Sequence, residues 1–209
     1  MNILKIIGFL VLISAGARAQ GITPPIAEYR GDKVSGMFEI QNSTDYAMAV
    51  ILGTKSFVVD ENGVVRYSAL DKNVRIKMGA SSFVLRGHDR RMIFYKASFP
   101  AAPASFSIIA TMTRAEAVEG VRVSFVFPHM IYVYQNDKLN KADIELRLAE
   151  GVLHIRNLSQ KLGRVSAVQA TKEDSGGFPI FPNQTRDVAA AGATRATVKF
   201  EDGFKVDVE

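Results

Sequence analysis

The sequence predicts an all-β protein built as two tandem antiparallel sandwiches, the second a reduced copy of the first. Three observations lead there. Short runs of alternating apolar residues recur between turn formers, and no segment keeps a 3.6-residue apolar period between helix caps. A weak internal repeat sets Phe38-Glu39-Ile40-Gln41-Asn42 beside Leu153-His154-Ile155-Arg156-Asn157, with the inward apolar pair and the closing Asn at one offset. The third is the run from Val121 to Tyr134, the longest stretch of β-branched and aromatic residues, which leads straight into the polar linker Gln135-Asn136-Asp137-Lys138.

The first residues read as an export signal. Lys5 is the basic group, Ile6 to Ile13 a short apolar run, and Ala17-Arg18-Ala19 a small-x-small cleavage pattern that makes Gln20 the first mature residue. Removal of Lys5 and Arg18 takes the formal charge from +5 to +3, with 24 basic side chains against 21 acidic ones. So mild and dispersed a balance argues against a nucleic-acid partner. There is no cysteine, so disulfides, thiol chemistry and zinc–thiolate sites are excluded and burial alone must hold the fold.

After residue 19 the elements follow in order. Gly21 to Ile26 reads as an extended entry whose Pro24 and Pro25 suit an edge. Lys33 to Asn42 is a strand with Phe38 and Ile40 inward, stopped by the turn formers Asn42-Ser43-Thr44-Asp45. Ala47 to Val59 is a second, closed by a hairpin at Asp60-Glu61-Asn62-Gly63. Val64–Leu70, Val74–Met78, Ser82–Leu85, Arg90–Ala97 and Ser105–Thr113 follow, with one helical turn tolerated between Ala110 and Val118. Ser105–Thr113 pairs with the long run through a turn at Glu119-Gly120. Beyond the linker come Asp143–Ala149, Val152–Asn157, Gly163–Thr171, Phe178–Pro182, Arg186–Ala190 and a closing hairpin, Arg195–Phe200 with Lys205–Val208. The expected domains are therefore 20–136 and 137–209. Leu85 with Arg90 matches Phe181 with Arg186, and the span from Asn to Arg is 48 residues in the first half and 29 in the second. The second sandwich has thus lost about two strands with their turns.

Within the long run, Val121, Val123, Phe125 and Phe127 share one face, while from Val126 onward both faces are apolar, as for a strand covered on both sides. Pro128 in its middle marks an edge strand or a bulge. A long apolar edge needs a cover. Either the protein's own second domain supplies it, or a partner adds a strand there.

Catalytic signals are sparse. His88, His129 and His154 stand at no metal-ligand spacing, and neither a nucleophile elbow nor a phosphate loop nor a carboxylate pair is present. His129 reads as a structural imidazole, and Arg86, His88, Arg90 and Arg91 as a solvated loop. The formal glycosylation sequons at Asn42, Asn157 and Asn183 fall where turns call for Asn. No cofactor, metal or catalytic residue is expected, and the protein is not read as an enzyme.

With these residues in view, the chain resembles the periplasmic chaperones of the chaperone–usher pilus pathway, in their more divergent branches. The likeness lies in order: an export signal, two immunoglobulin-like sandwiches, a strand ending in Asn plus Ser/Thr, and the strand Gly120–Val133 with its proline, running into the linker. The resemblance implies a chaperone that caps pilin-like subunits by lending them that strand, with an outer-membrane usher as a further partner. It implies a donor face of Val121, Val123, Phe125 and Phe127. The opposite parity, in which those residues face the first domain's own core and leave Arg122, Ser124 and Val126 to a client, stays open. In that family an Arg on the first strand and a Lys on the long strand anchor the client's terminal carboxylate. Counted without gaps, those positions are Ile26 and Ile131, both aliphatic. The client is then held differently, or the register differs, or the chain no longer handles pilins. The rival reading is a secreted structural or adhesive immunoglobulin-like protein with no chaperone role.

Overall fold

The computed structural model describes residues 20–116, 123–170 and 176–209. The strands of the first sandwich are β1 (Gly21–Thr23), β2 (Ile26–Arg30), β3 (Lys33–Gln41), β4 (Met48–Val59), β5 (Val65–Ala69), β6 (Arg75–Met78), β7 (Ser82–Leu85), β8 (Arg90–Ser98), β9 (Ala104–Arg114) and β10 (Ser124–Tyr134). Those of the second are β11 (Ile144–Ala149), β12 (Val152–Asn157), β13 (Gly163–Gln169), β14 (Phe178–Ile180), β15 (Thr185–Ala189), β16 (Ala196–Phe200) and β17 (Lys205–Val208). The first sandwich faces the sheet β1-β3-β8-β6 with β2-β10-β9-β4-β5, β7 pairing with β4. The second faces β11-β12-β15 with β14-β13-β16-β17. The all-β, two-sandwich reading holds.

Each sandwich is filled by the inward residues of its alternating strands. Phe38, Ile40, Val50, Ile93, Phe106, Ile108 and Met112 form the first core, and Leu153, Ile155, Val165, Val168 and Val198 the second. The internal repeat is real in three dimensions, since Phe38, Ile40 and Asn42, like Leu153, Ile155 and Asn157, are all fully buried.

Its second half needs a shift of one residue. Asn42 donates to the Leu85 carbonyl and Asn157 to that of Ile180; the Asn42 and Asn157 amides donate to Asp89 and Gln184. His88 and Asn183 occupy the same left-handed position, at φ 64° and 55°. Leu85 thus corresponds to Ile180 and Arg90 to Thr185, not to Phe181 and Arg186. Backbone bonding defines the equivalence, and Arg186 is engaged elsewhere, its Nη1 donating to the Asp60 carbonyl in the first sandwich. Among the described residues, β5 and β6 stand between β4 and β7 and no strand stands between β13 and β14, in line with a loss of two strands.

Two local expectations change. Ala110 to Arg114 is strand, because these residues complete the β9 ladder with β4 and β10. The entry is not one extended piece. β1 pairs antiparallel with β3, the chain crosses at Pro24-Pro25, and β2 then pairs parallel with β10 in the other sheet. Residues without a backbone N–H suit that crossing.

Candidate functional site

The parallel pairing with β2 splits β10 into two halves. Met130 to Val133 lie between β2 and β9, whereas Ser124 to His129 pair with β9 alone and, among the described residues, have no strand on their other edge. Backbone polar groups on that edge alternate with residue number. The Met130 amide donates to the Pro25 carbonyl on the β2 side, so the amides of Ser124 and Val126 face the open edge, as would that of residue 128. Pro128 therefore costs the sheet no hydrogen bond.

Of the two proposed covers, the second sandwich supplies one, over part of the run. On the inner face, Ile131 and Val133 join the first core. On the outer face, Tyr132 and Tyr134 pack with Phe57 of β4 against Leu162 and Phe181 of the second sandwich. Phe57 meets Tyr132 edge-on at 5.1 Å between ring centres and Phe181 at 6.2 Å. Burial, with the nearby Glu28 carboxylate, pushes the Tyr132 hydroxyl up to about 12. The second domain therefore covers the outer face at Met130, Tyr132 and Tyr134, and among the described residues it leaves 124–129 open.

Along the open half, Phe125 and Phe127 are half-buried, stacked 6.4 Å apart and leaning on the first core. Val126, on the opposite face, is 59% exposed, and Val123 is 58% exposed. Val121, with Arg122 and the turn expected at Glu119-Gly120, lies outside the described residues. Ile131 is fully buried and offers no surface, which corrects its place among the contact residues. Ile131 shares the inward face with His129 and Val133 and lies where that face is sealed in the first core. Ile26, at 49% exposure, is paired in register with Met130. The position facing Ile26 is thus Met130, one residue before the sequence-based assignment.

The cleft floor beside Ile26 is ionic but self-neutralised. Arg164 of the second sandwich donates to Glu28 at 2.6 Å and to Glu201 at 2.8 Å, and Tyr134 also donates to Glu28. Burial opposes the Arg164 charge, and these partners more than offset it, raising its pKa. Arg30 bonds the Gln135 carbonyl and pairs with Asp202 at 3.4 Å. Both arginines near the cleft already have carboxylate partners.

His129, at the boundary of the two halves, clamps the crossing. Its Nδ1 donates to the Pro24 carbonyl at 2.7 Å, which leaves Nε2 to accept from the Tyr95 hydroxyl at 3.0 Å. Tyr29 stands 3.0 Å from Tyr95 and completes the chain. Burial, partly offset by the Pro24 bond, lowers the imidazole pKa. Gly36 makes room, since a Cβ there would overlap both tyrosine hydroxyls. The sequence marked His129 as structural; its partners, distant in the chain, carry no sequence signal.

No family model and no curated protein matches this sequence. Solved structures do. A chain of the Salmonella enterica SafA pilin–SafB chaperone complex superimposes with a TM-score of 0.61 at 10% identity, over 91% of this chain and 95% of that one. The E. coli chaperone DraB gives 0.57 at 13% identity, over 91% and 98%. A chain of the chaperone–tip adhesion subunit complex CsuC–CsuE, from archaic chaperone–usher Csu pili of Acinetobacter baumannii, gives 0.53 at 14%, over 91% and 97%. The fold is that of the pilus chaperones.

Proposed function

We propose that this protein is a periplasmic chaperone that binds and caps pilus or fimbrial subunits by lending them the free edge of β10, and that it is not an enzyme. The observation that carries the reading is the open half-strand Ser124–His129, a row of backbone groups unpaired among the described residues and flanked by exposed Val123 and Val126 and half-exposed Phe125 and Phe127. Such an edge is a template for strand addition, where main-chain bonds give affinity and alternate side chains give specificity. A purely structural module would cover it. Solved relatives in fold include chaperones in complex with a pilin and with a tip subunit, which supports the same partner class. Export with cleavage after Ala19, periplasmic residence and hand-over to an outer-membrane usher complete the reading.

The test is a backbone substitution. Val126→Pro removes a donor from the open edge and spares the ladder to β9, because the Val126 amide faces away from β9. We expect the variant to fold as the wild type and to lose subunit binding by about tenfold or more, the loss of a main-chain bond together with poorer strand fit. Unchanged binding of the subunits that co-purify from the native compartment would overturn strand donation.

A further inference from the structure

Among the described residues nothing covers the outer face of the sheet β1-β3-β8-β6, and that face has a marked polarity. Lys77 of β6 stands directly opposite Lys96 of β8, while Arg75 and Lys33 flank Ser98 on either side in the adjacent row. All four cations are exposed, and among the described residues none makes an ion pair. Like charges opposite each other on a sheet are destabilising. Lysines on the edge strand β6 discourage edge-to-edge pairing, but Lys96 lies on the interior strand β8, where that purpose does not apply.

The same face continues into apolar side chains. Phe94, opposite Met37, is 62% exposed, and Met37 is 52% exposed. The face therefore places two large apolar groups beside a block of cations without ion-pair partners among the described residues.

We propose that this face docks on the surface of a bilayer bearing anionic headgroups, with Lys33, Arg75, Lys77 and Lys96 on the phosphates and Phe94 and Met37 entering the interfacial layer. Charge complementarity selects an anionic partner. Composition favours lipid over an acidic protein, since the cores of protein interfaces are depleted in charge. Lysine and arginine stems can lie along an apolar boundary while their heads stay among headgroups. An aromatic side chain beside basic ones is the pattern of peripheral membrane binding. Docking by this sheet leaves the free edge of β10, in the opposite sheet, open to a client.

The experiment is vesicle co-sedimentation of the protein purified from the producing cell, with wild type and variants handled alike. One vesicle set mixes phosphatidylglycerol with phosphatidylethanolamine; the other is phosphatidylcholine alone. Binding is expected to the anionic set only and to weaken with added salt. The double variant Lys77→Glu/Lys96→Glu should bind at least about 25-fold more weakly, taking about fivefold for each charge lost. Phe94→Ser should weaken binding while preserving its salt dependence. Both variants should keep the wild-type urea midpoint and capture co-purifying subunits normally, which separates this surface from the β10 edge. Equal binding to neutral vesicles, or wild-type binding by the charge variant, overturns the proposal. So does binding to soluble polyglutamate as tight as to anionic vesicles, which would mark an acidic protein as the occupant.

Discussion

Asn42 and Asn157 close the same corner in the two sandwiches. Each is fully buried at the end of its strand, and each Oδ1 accepts from the amide and hydroxyl two residues on, Thr44 in one case and Ser159 in the other. Each Nδ2 donates to backbone carbonyls, of Tyr46, Leu85 and Arg86 or of Lys161 and Ile180. Side-chain amides replace ladder bonds where the strand leaves the sheet. With Asn42 and Asn157 buried, turn chemistry accounts for both sequons.

Asn42→Ala should therefore cost about 1–3 kcal/mol, the usual penalty for stranding buried polar groups. Asn157→Ala should cost somewhat less, because it serves fewer carbonyls. Urea unfolding followed by far-UV circular dichroism measures both.

Phe57 should couple the two sandwiches. Phe57→Ala leaves a cavity against Tyr132 and Phe181, with an expected loss of about 3–5 kcal/mol. The unfolding of the halves should then separate, giving two urea midpoints by tyrosine fluorescence and circular dichroism where the wild type gives one. A single unshifted transition would mean that the ionic contacts at Arg164 and Arg30 suffice.

His129 makes stability fall in acid. Burial holds its folded pKa below the ordinary 6.5, so below that pH the unfolded chain takes up a proton that the folded one resists. The folded state loses stability as pH drops from about 6.5 towards the folded value, with a slope of at most about 1.4 kcal/mol per pH unit for one proton. Above pH 7 this histidine contributes no slope. Comparing the urea midpoints of wild type and His129→Gln between pH 7.5 and 5 tests this; the variant should lack that part of the acid dependence.

Client binding should depend little on a free terminal carboxylate. Ile26 faces Met130, and the two nearby arginines are engaged by Glu28, Glu201 and Asp202. A matched pair of client peptides, one with a free acid and one amidated, should bind alike. A tenfold loss on amidation, about 1.4 kcal/mol, would mean that Arg30 or Arg164 leaves its carboxylates to anchor the client.

Much of the fold was legible because sheet structure writes itself locally. Alternation marked the core residues of β3 and β12, and the Asn turns marked where those strands end. From Val126 onward the sequence reads as a strand covered on both sides; this holds for Met130 to Tyr134, whereas Val126 is exposed. The candidate site was less legible. Pro128 signalled an edge, yet only β2, brought alongside by the Pro24-Pro25 crossing, determines where that edge begins and ends.

The sequence by itself determined the strand periods, the turn chemistry, the trimmed second sandwich and the lack of thiol chemistry, since each depends on neighbours a few residues away. Only the tertiary structure decided which parity of β10 faces the first core, that Ile131 is buried, and that Met130 faces Ile26. It alone paired Tyr132 with Phe181 and Glu28 with Arg164. The physical reason is that a strand of period two has two equivalent faces until another part of the chain covers one of them. Here β2 and the second sandwich, both distant in sequence from Ser124 to Tyr134, make that choice.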